Sequence, residues 1–183
     1  MRRPMTPLFI DGTEERAAEL RRIVPALRFE LAGLPVGYST SAPDPATRAH
    51  DMVVAAEHVE PCFAEAVDLT TMEGKSLRLE LDSENDNRFC RWFRETPVRL
   101  HLCVALRRAP GAEIELFGAE CEGRIADQPA GPRPFGWDRL FVPDGYTRTL
   151  AELAEAPGGD DPDPVGLRGL VYGDLARALG FTA

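Results

Sequence analysis

Four consecutive residues, Phe135-Gly136-Trp137-Asp138, have the types needed to recognise a flat heterocycle. A phenylalanine face can carry a stacked ring, a contact worth ~1–3 kcal/mol. Glycine lets the backbone approach a ligand closely, Trp137 adds bulk beneath, and Asp138 can hydrogen-bond at a ring edge. The same four residues could equally be core aromatics following a loop. Two acids, Glu65 and Asp68, stand in the run Pro61 to Leu69 (PCFAEAVDL), which reads as a strand. Alternation along a strand sends these two to opposite faces, so one of them at most serves a given site without a bulge.

Other chemistries find no support. Cys62, Cys90, Cys103 and Cys121 make no CxxC pair, and His50, His58 and His101 form no local motif with them, which argues against zinc. The net charge of −9 argues against a duplex nucleic acid as partner. It leaves room for a small anionic ligand in a locally basic site. Lys75 is the single lysine, so arginine carries nearly all the positive charge. With no secretory segment and no long apolar span, the sequence predicts no membrane association and a cytoplasmic location, where free thiols are at home.

The elements that must position these residues follow from periodicity and punctuation. Pro7 to Asp11 is a short strand running into the turn Asp11-Gly12-Thr13. Thr13 caps a helix with acids in its first turn (Glu14, Glu15), arginines near its end (Arg21, Arg22) and Pro25 as its stop. Leu27 to Leu31 reads as a strand and Asp44 to Val59 as a helix with Pro45 in its first turn. Leu77 to Leu81 alternates briefly, Ser83 to Asn87 reads as a polar loop, and Arg88 to Arg94 as a short helix. Val98 to Leu106 alternates cleanly and, across Pro110-Gly111, Glu113 to Ala126 returns beside it. A Pro/Gly loop, a strand at Leu140 to Val142, a helix at Thr147 to Ala156, an acidic linker and a closing helix at Val165 to Leu179 complete the chain. The expected fold is one α/β domain over residues 1–183, a mixed central sheet with flanking helices.

The run Gly131 to Leu153, GPRPFGWDRLFVPDGYTRTLAEL, resembles the signature of the inosine triphosphate pyrophosphatase family. There a glycine-rich loop leads to Phe-Gly-Trp/Tyr-Asp, an apolar strand, Pro-Asp-Gly-Tyr, and Thr-x-Ala-Glu-Leu/Met. Pro7 to Val24 resembles the family's opening strand, turn and helix, and Gly123-Arg124-Ile125 precedes the signature at the family distance. The resemblance implies two lobes around a nucleotide cleft and hydrolysis of a purine or modified purine nucleoside triphosphate to the monophosphate and pyrophosphate. It also implies Mg²⁺, a homodimer and a small-molecule nucleotide as ligand.

Residue by residue, the resemblance places Phe135, Gly136, Trp137 and Asp138 at the base, together with Arg168. Arg168 is all that remains, over Pro162 to Arg168, of a Lys-Asn-x-x-Ser-His-Arg pattern. Gly12, Thr13 and Arg16 fall on the phosphate-binding Ser/Thr-Gly-Asn-x-x-Lys, where Asp11, Glu14 and Glu15 add negative charge. Leu34-Pro35 is followed by Val36 instead of the family's metal-binding glutamate. The family's catalytic and metal-binding acids fall on Glu65 in one register and Asp68 in the other; both remain candidates for catalysis and for metal. These departures leave two further readings: a nucleotide-binding or interaction module without turnover, and an enzyme acting on a less phosphorylated modified nucleotide.

Overall fold

The computed structural model describes residues 6–35, 37–38, 42, 44–56, 61–78, 83–132, 136–155 and 163–181, with the side chains of 83–85 left aside. Phe135, most of the acidic linker and part of the expected Leu77–Leu81 alternation therefore lie outside the described residues. The strands are β1 (Leu8–Ile10), β2 (Glu30–Ala32), β3 (Cys62–Thr71), β4 (Pro97–Arg107), β5 (Glu115–Ile125) and β6 (Phe141–Pro143). The helices are α1 (Glu14–Ile23), α2 (Pro45–Ala55), α3 (Ser83–Phe93), α4 (Leu150–Ala154) and α5 (Leu167–Ala178), with a 3-10 turn at Gly136–Arg139. The six strands form one sheet in the order β2-β1-β3-β4-β5-β6. β1 lies parallel to β2 and β3, and β6 antiparallel to β5, so the sheet is mixed as expected.

By internal contacts the chain divides into two compact units, residues 1–66 with 102–119 and 168–183, and residues 67–101 with 120–167. In the first, Phe9 stacks on Phe63 at 4.8 Å between centroids, Phe29 meets both edge-on, and Tyr172 of α5 meets Phe63 edge-on at 6.2 Å. This aromatic cluster fixes α5 on the sheet. The α2 side contributes Ala49, Met52, Val53 and Ala56 to a core with Ile10, Cys62, Ala64 and Ala105. α1 and α2 begin where the sequence places them: Thr13 Oγ1 accepts from the Arg16 N–H at 3.2 Å, and Asp44 Oδ1 from the Thr47 N–H at 2.8 Å. Hydrogen bonding to the Thr47 backbone and hydroxyl holds the Asp44 carboxyl below its ordinary range.

In the second unit Val98 and Leu100 of β4, Phe89 and Cys90 of α3, Trp137, Leu140, Phe141 and Leu150 are buried. α4 packs on the 3-10 turn and on β6. Its N-terminus is a complete capping box, with Thr149 Oγ1 accepting from the Glu152 N–H and Glu152 Oε2 from the Thr149 N–H.

One expectation is corrected. Ser83 to Asn87, expected as a loop, forms the first half of α3. Acids are at home in a helix's first turns, and Asp86 is held in place by an ion pair with Arg139, 53 positions on, that no local pattern reveals.

Candidate functional site

The first unit gathers three of the residues singled out by sequence into one charge cluster. α1 brings Arg16 and Glu19 to the sheet, β3 brings Glu65, and α5 brings Tyr172 and Arg168. The Arg16 guanidinium lies 3.1 Å from Glu65 Oε1 and 3.0 Å from Glu19 Oε2, and Arg168 Nε lies 3.9 Å from that same Glu19 oxygen. The Tyr172 hydroxyl donates to Glu65 Oε2 at 2.6 Å. Side-chain exposure is 12% for Arg16, 6% for Glu65 and 5% for Arg168, so these charges sit almost out of water. Charges so placed persist only when paired and hydrogen-bonded. Burial, then the Glu65 charge, raises the Tyr172 phenol well above its ordinary pKa and keeps it a donor.

Gly12 and Thr13 have structural duties of their own. A side chain at Gly12 would come within 2.5 Å of the Phe9 ring, so the aromatic cluster alone requires glycine here. Thr13 caps α1. Asp11 sits in the left-handed region at φ 58, and burial raises its carboxyl pKa.

Asp68 belongs to the second unit. It is fully buried; its Oδ1 accepts from the Leu69 N–H at 2.9 Å and its Oδ2 from the Ser76 hydroxyl at 2.7 Å. The two acids of β3 thus have separate partners, in keeping with the alternation of a strand. Each of their four carboxylate oxygens already has a protein partner. Among the described residues no three His, Cys, Asp or Glu side chains come together as a metal site. This donor set does not fit Mg²⁺, which demands near-octahedral oxygen coordination and carboxylates turned toward it.

The second unit also holds the aromatic turn. Trp137 and Asp138 are buried, at 6% and 5% exposure, while Gly136 is exposed. The Trp137 indole packs on Phe89 of α3 at 5.6 Å between centroids, so it serves as the floor of the turn. Gly131, with φ +88, lies so close to α4 that a side chain would meet the Glu152 nitrogen at 2.7 Å. Thr149 Oγ1 donates to the Ala130 carbonyl at 2.9 Å, tying the loop to the cap of α4.

Sequence reasoning missed Glu19, Tyr172, Ser76, Asp86 and Arg139. Only Glu19 offered a signal, one helical turn after Arg16. The cysteines are reduced, and burial pushes the Cys90 and Cys103 thiols up to about 11, so they behave as small apolar groups.

Comparison with known proteins agrees with this architecture. A model of the Ham1 family matches residues 80–157, which contain α3, the β4–β5 pair, the aromatic turn and α4. Over 200 aligned positions the chain is 29% identical to a dITP/XTP pyrophosphatase of Frankia alni, covering 96% of this chain and 97% of that one. A dITP/XTP pyrophosphatase of Aquifex aeolicus is 35% identical over 106 residues, 57% of this chain and 50% of the relative. The solved structure of a HAM1 protein from Coxiella burnetii superposes with a TM-score of 0.72 at 19% identity, covering 97% of this chain and 100% of that one, which shows the shared fold. No helix among the described residues is long and apolar enough to cross a membrane. The mixed sheet, the capped α4 behind its glycine loop and the buried Trp137-Asp138 turn thus accompany a chain that is similar to the Ham1 family, over residues 80–157 in sequence and over nearly its whole length in fold.

Proposed function

We propose that this chain is a hydrolase that converts a purine or modified purine nucleoside triphosphate to its monophosphate and pyrophosphate. The observation that carries this reading is the end-to-end likeness to a protein named dITP/XTP pyrophosphatase, which leaves almost none of either chain unmatched. Water adds to the α-phosphorus, the bond from that phosphorus to the bridging oxygen breaks, pyrophosphate leaves, and the proton of the attacking water passes to a carboxylate. In this reading Phe135, Gly136, Trp137, Asp138 and Arg168 hold the base, Gly12, Thr13 and Arg16 the phosphates, and Asp68 or Glu65 takes the proton. Likeness to the Ham1 family is consistent with a divalent cation, although Glu65 and Asp68 as described do not offer it a seat. We further propose a single working domain, a homodimer, and a cytoplasmic role with a small nucleotide and no nucleic acid as ligand.

One observation favours a second reading. Arg16 is already balanced by Glu65 and Glu19, so the phosphate end offers little net positive charge. That suits a less phosphorylated nucleotide, or a binding module, better than a triphosphate. The deciding experiment incubates the protein with a panel of nucleoside triphosphates, deoxynucleoside triphosphates and monophosphates, with Mg²⁺ or Mn²⁺, and measures pyrophosphate and phosphate separately. Pyrophosphate from inosine or xanthosine triphosphate supports the first reading. Phosphate or free base from monophosphates supports the second, and saturable binding with no turnover overturns hydrolysis.

A further inference from the structure

The turn that carries Trp137 and Asp138 is only four residues of 3-10 helix, a geometry with too few internal hydrogen bonds to hold itself. Its rigidity must come from neighbours, and one residue supplies three of the ties. The Arg139 carbonyl accepts from the Ala130 N–H at 3.0 Å. Its side-chain Nε donates to the Gly131 carbonyl at 3.2 Å, and its NH1 group donates to Asp86 Oδ2 at 3.3 Å. Asp86 is 3% exposed and stands one helical turn before Phe89, the residue on which Trp137 packs. α3 therefore grips the turn twice from one face, by an apolar contact and by an ion pair.

A buried carboxylate is a costly way to gain stability, because its desolvation offsets most of the attraction to its partner. Its distinctive contribution is direction. A guanidinium is a planar fork whose donors are fixed relative to one another, so fixing one of them aims the rest. With NH1 held on Asp86, Nε points at the Gly131 carbonyl. Gly131 is in turn pressed against the N-terminus of α4, with Ala130 held by Thr149. We infer that Asp86 is a positioning residue of the base-recognition turn: through Arg139 it sets where Trp137 and Asp138 stand relative to the loop that precedes them. The inference rests on the reading of that turn as the wall of a base pocket.

The test uses the full chain in a Trp92→Phe background, which leaves Trp137 as the single tryptophan; Trp92 is exposed and lies outside the proposed site. Asp86→Asn keeps the shape and removes the charge. KM for inosine triphosphate should rise on the order of tenfold with kcat little changed, the pattern of lost binding shared by ground and transition states. Inhibition by inorganic triphosphate, which probes the phosphate end alone, should be unaltered, and Trp137 emission should move to longer wavelength. Asp86→Glu should restore part of the KM. If Asp86→Asn does not fold, Arg139→Gln breaks the same bond from its more exposed side and should give the same KM rise. An unchanged KM, or equal weakening toward inosine triphosphate and inorganic triphosphate, overturns the inference. If the background protein binds no nucleotide at all, the base-pocket reading has failed; emission then decides alone, and unchanged emission in Asp86→Asn overturns the positioning role.

Discussion

The charge cluster and the aromatic turn are built on different scales of the chain. In the first unit Tyr172 reaches Glu65 across 107 positions, and Arg16 meets the same carboxylate from the other end of the sequence. In the second, Arg139 reaches back 8 positions to Gly131 and Thr149 reaches back 19 to Ala130, with Asp86 and Phe89 of α3 as the distant partners. The cluster is made of charges nearly withdrawn from water; the turn is made of backbone bonds, one aromatic contact and one buried ion pair. A cluster of the first kind fails as a whole when one charge is removed. A turn of the second kind loses one tie at a time.

That contrast can be broken by substitution. Glu65→Ala strips Arg16 of a partner and leaves the Tyr172 hydroxyl buried without its acceptor. The expected loss is about 3–5 kcal/mol, measured by urea unfolding, and Arg16→Met in the same chain should recover much of it. Should Glu65→Ala cost no more than a surface change, the cluster is not the unit it is described as here.

Tyr172→Phe comes next, at about 1.5–3 kcal/mol for a hydrogen bond to a charged acceptor. It also carries a pH signature. The phenol pKa is raised in the folded state by burial and by Glu65, and an unfolded tyrosine ionises near 10. The resulting stability is fully present below pH ~10 and is lost as pH climbs from there toward the folded value. Thermal melts of the native chain should therefore fall more steeply above pH ~10 than those of Tyr172→Phe; parallel curves would refute the assignment.

On the turn side, Gly131→Ala forces a side chain into the α4 backbone at a left-handed φ. Backbone strain of this kind is worth about 1–3 kcal/mol, and the variant should also lose nucleotide affinity in a direct titration. Thr149→Ala is the mildest, about 1 kcal/mol for a lost N-cap. Calorimetry on the Gly131→Ala, Thr149→Ala double variant sharpens the comparison. Both residues act on the same loop, so their effects should fall short of additive, whereas Thr149→Ala and Tyr172→Phe, which share no described partner, should add.

How much was legible follows the same division. Capping by Thr13, the opening of α2 at Asp44-Pro45, the alternation of β4 and the contiguous run from Gly131 to Leu153 are local signals, and the structure places their elements within a few residues of expectation. β2 starts later than its apolar residues suggest because Leu27 and Phe29 are buried before the strand pairing at Glu30 begins. α3 was half missed because a string of polar residues reads as loop until Asp86 finds Arg139. Nothing near Tyr172 in the sequence distinguishes a core tyrosine from one that grips a carboxylate. The positions proposed for phosphate at Gly12 and Thr13 also illustrate a limit of motif reading: the glycine is required by Phe9, and the threonine by the helix it begins, with or without a ligand.

The division of the long strands has a consequence for how this protein can change. β3, β4 and β5 each give residues to both units, and α5 starts at a further boundary, so the chain passes from one unit to the other at 66/67, 101/102, 119/120 and 167/168. Neither unit is a stretch that a single gene cut could release. Recombination cannot trade one half for a foreign counterpart, and a fragment ending at any one of these junctions carries unfinished strands or lacks its closing helix.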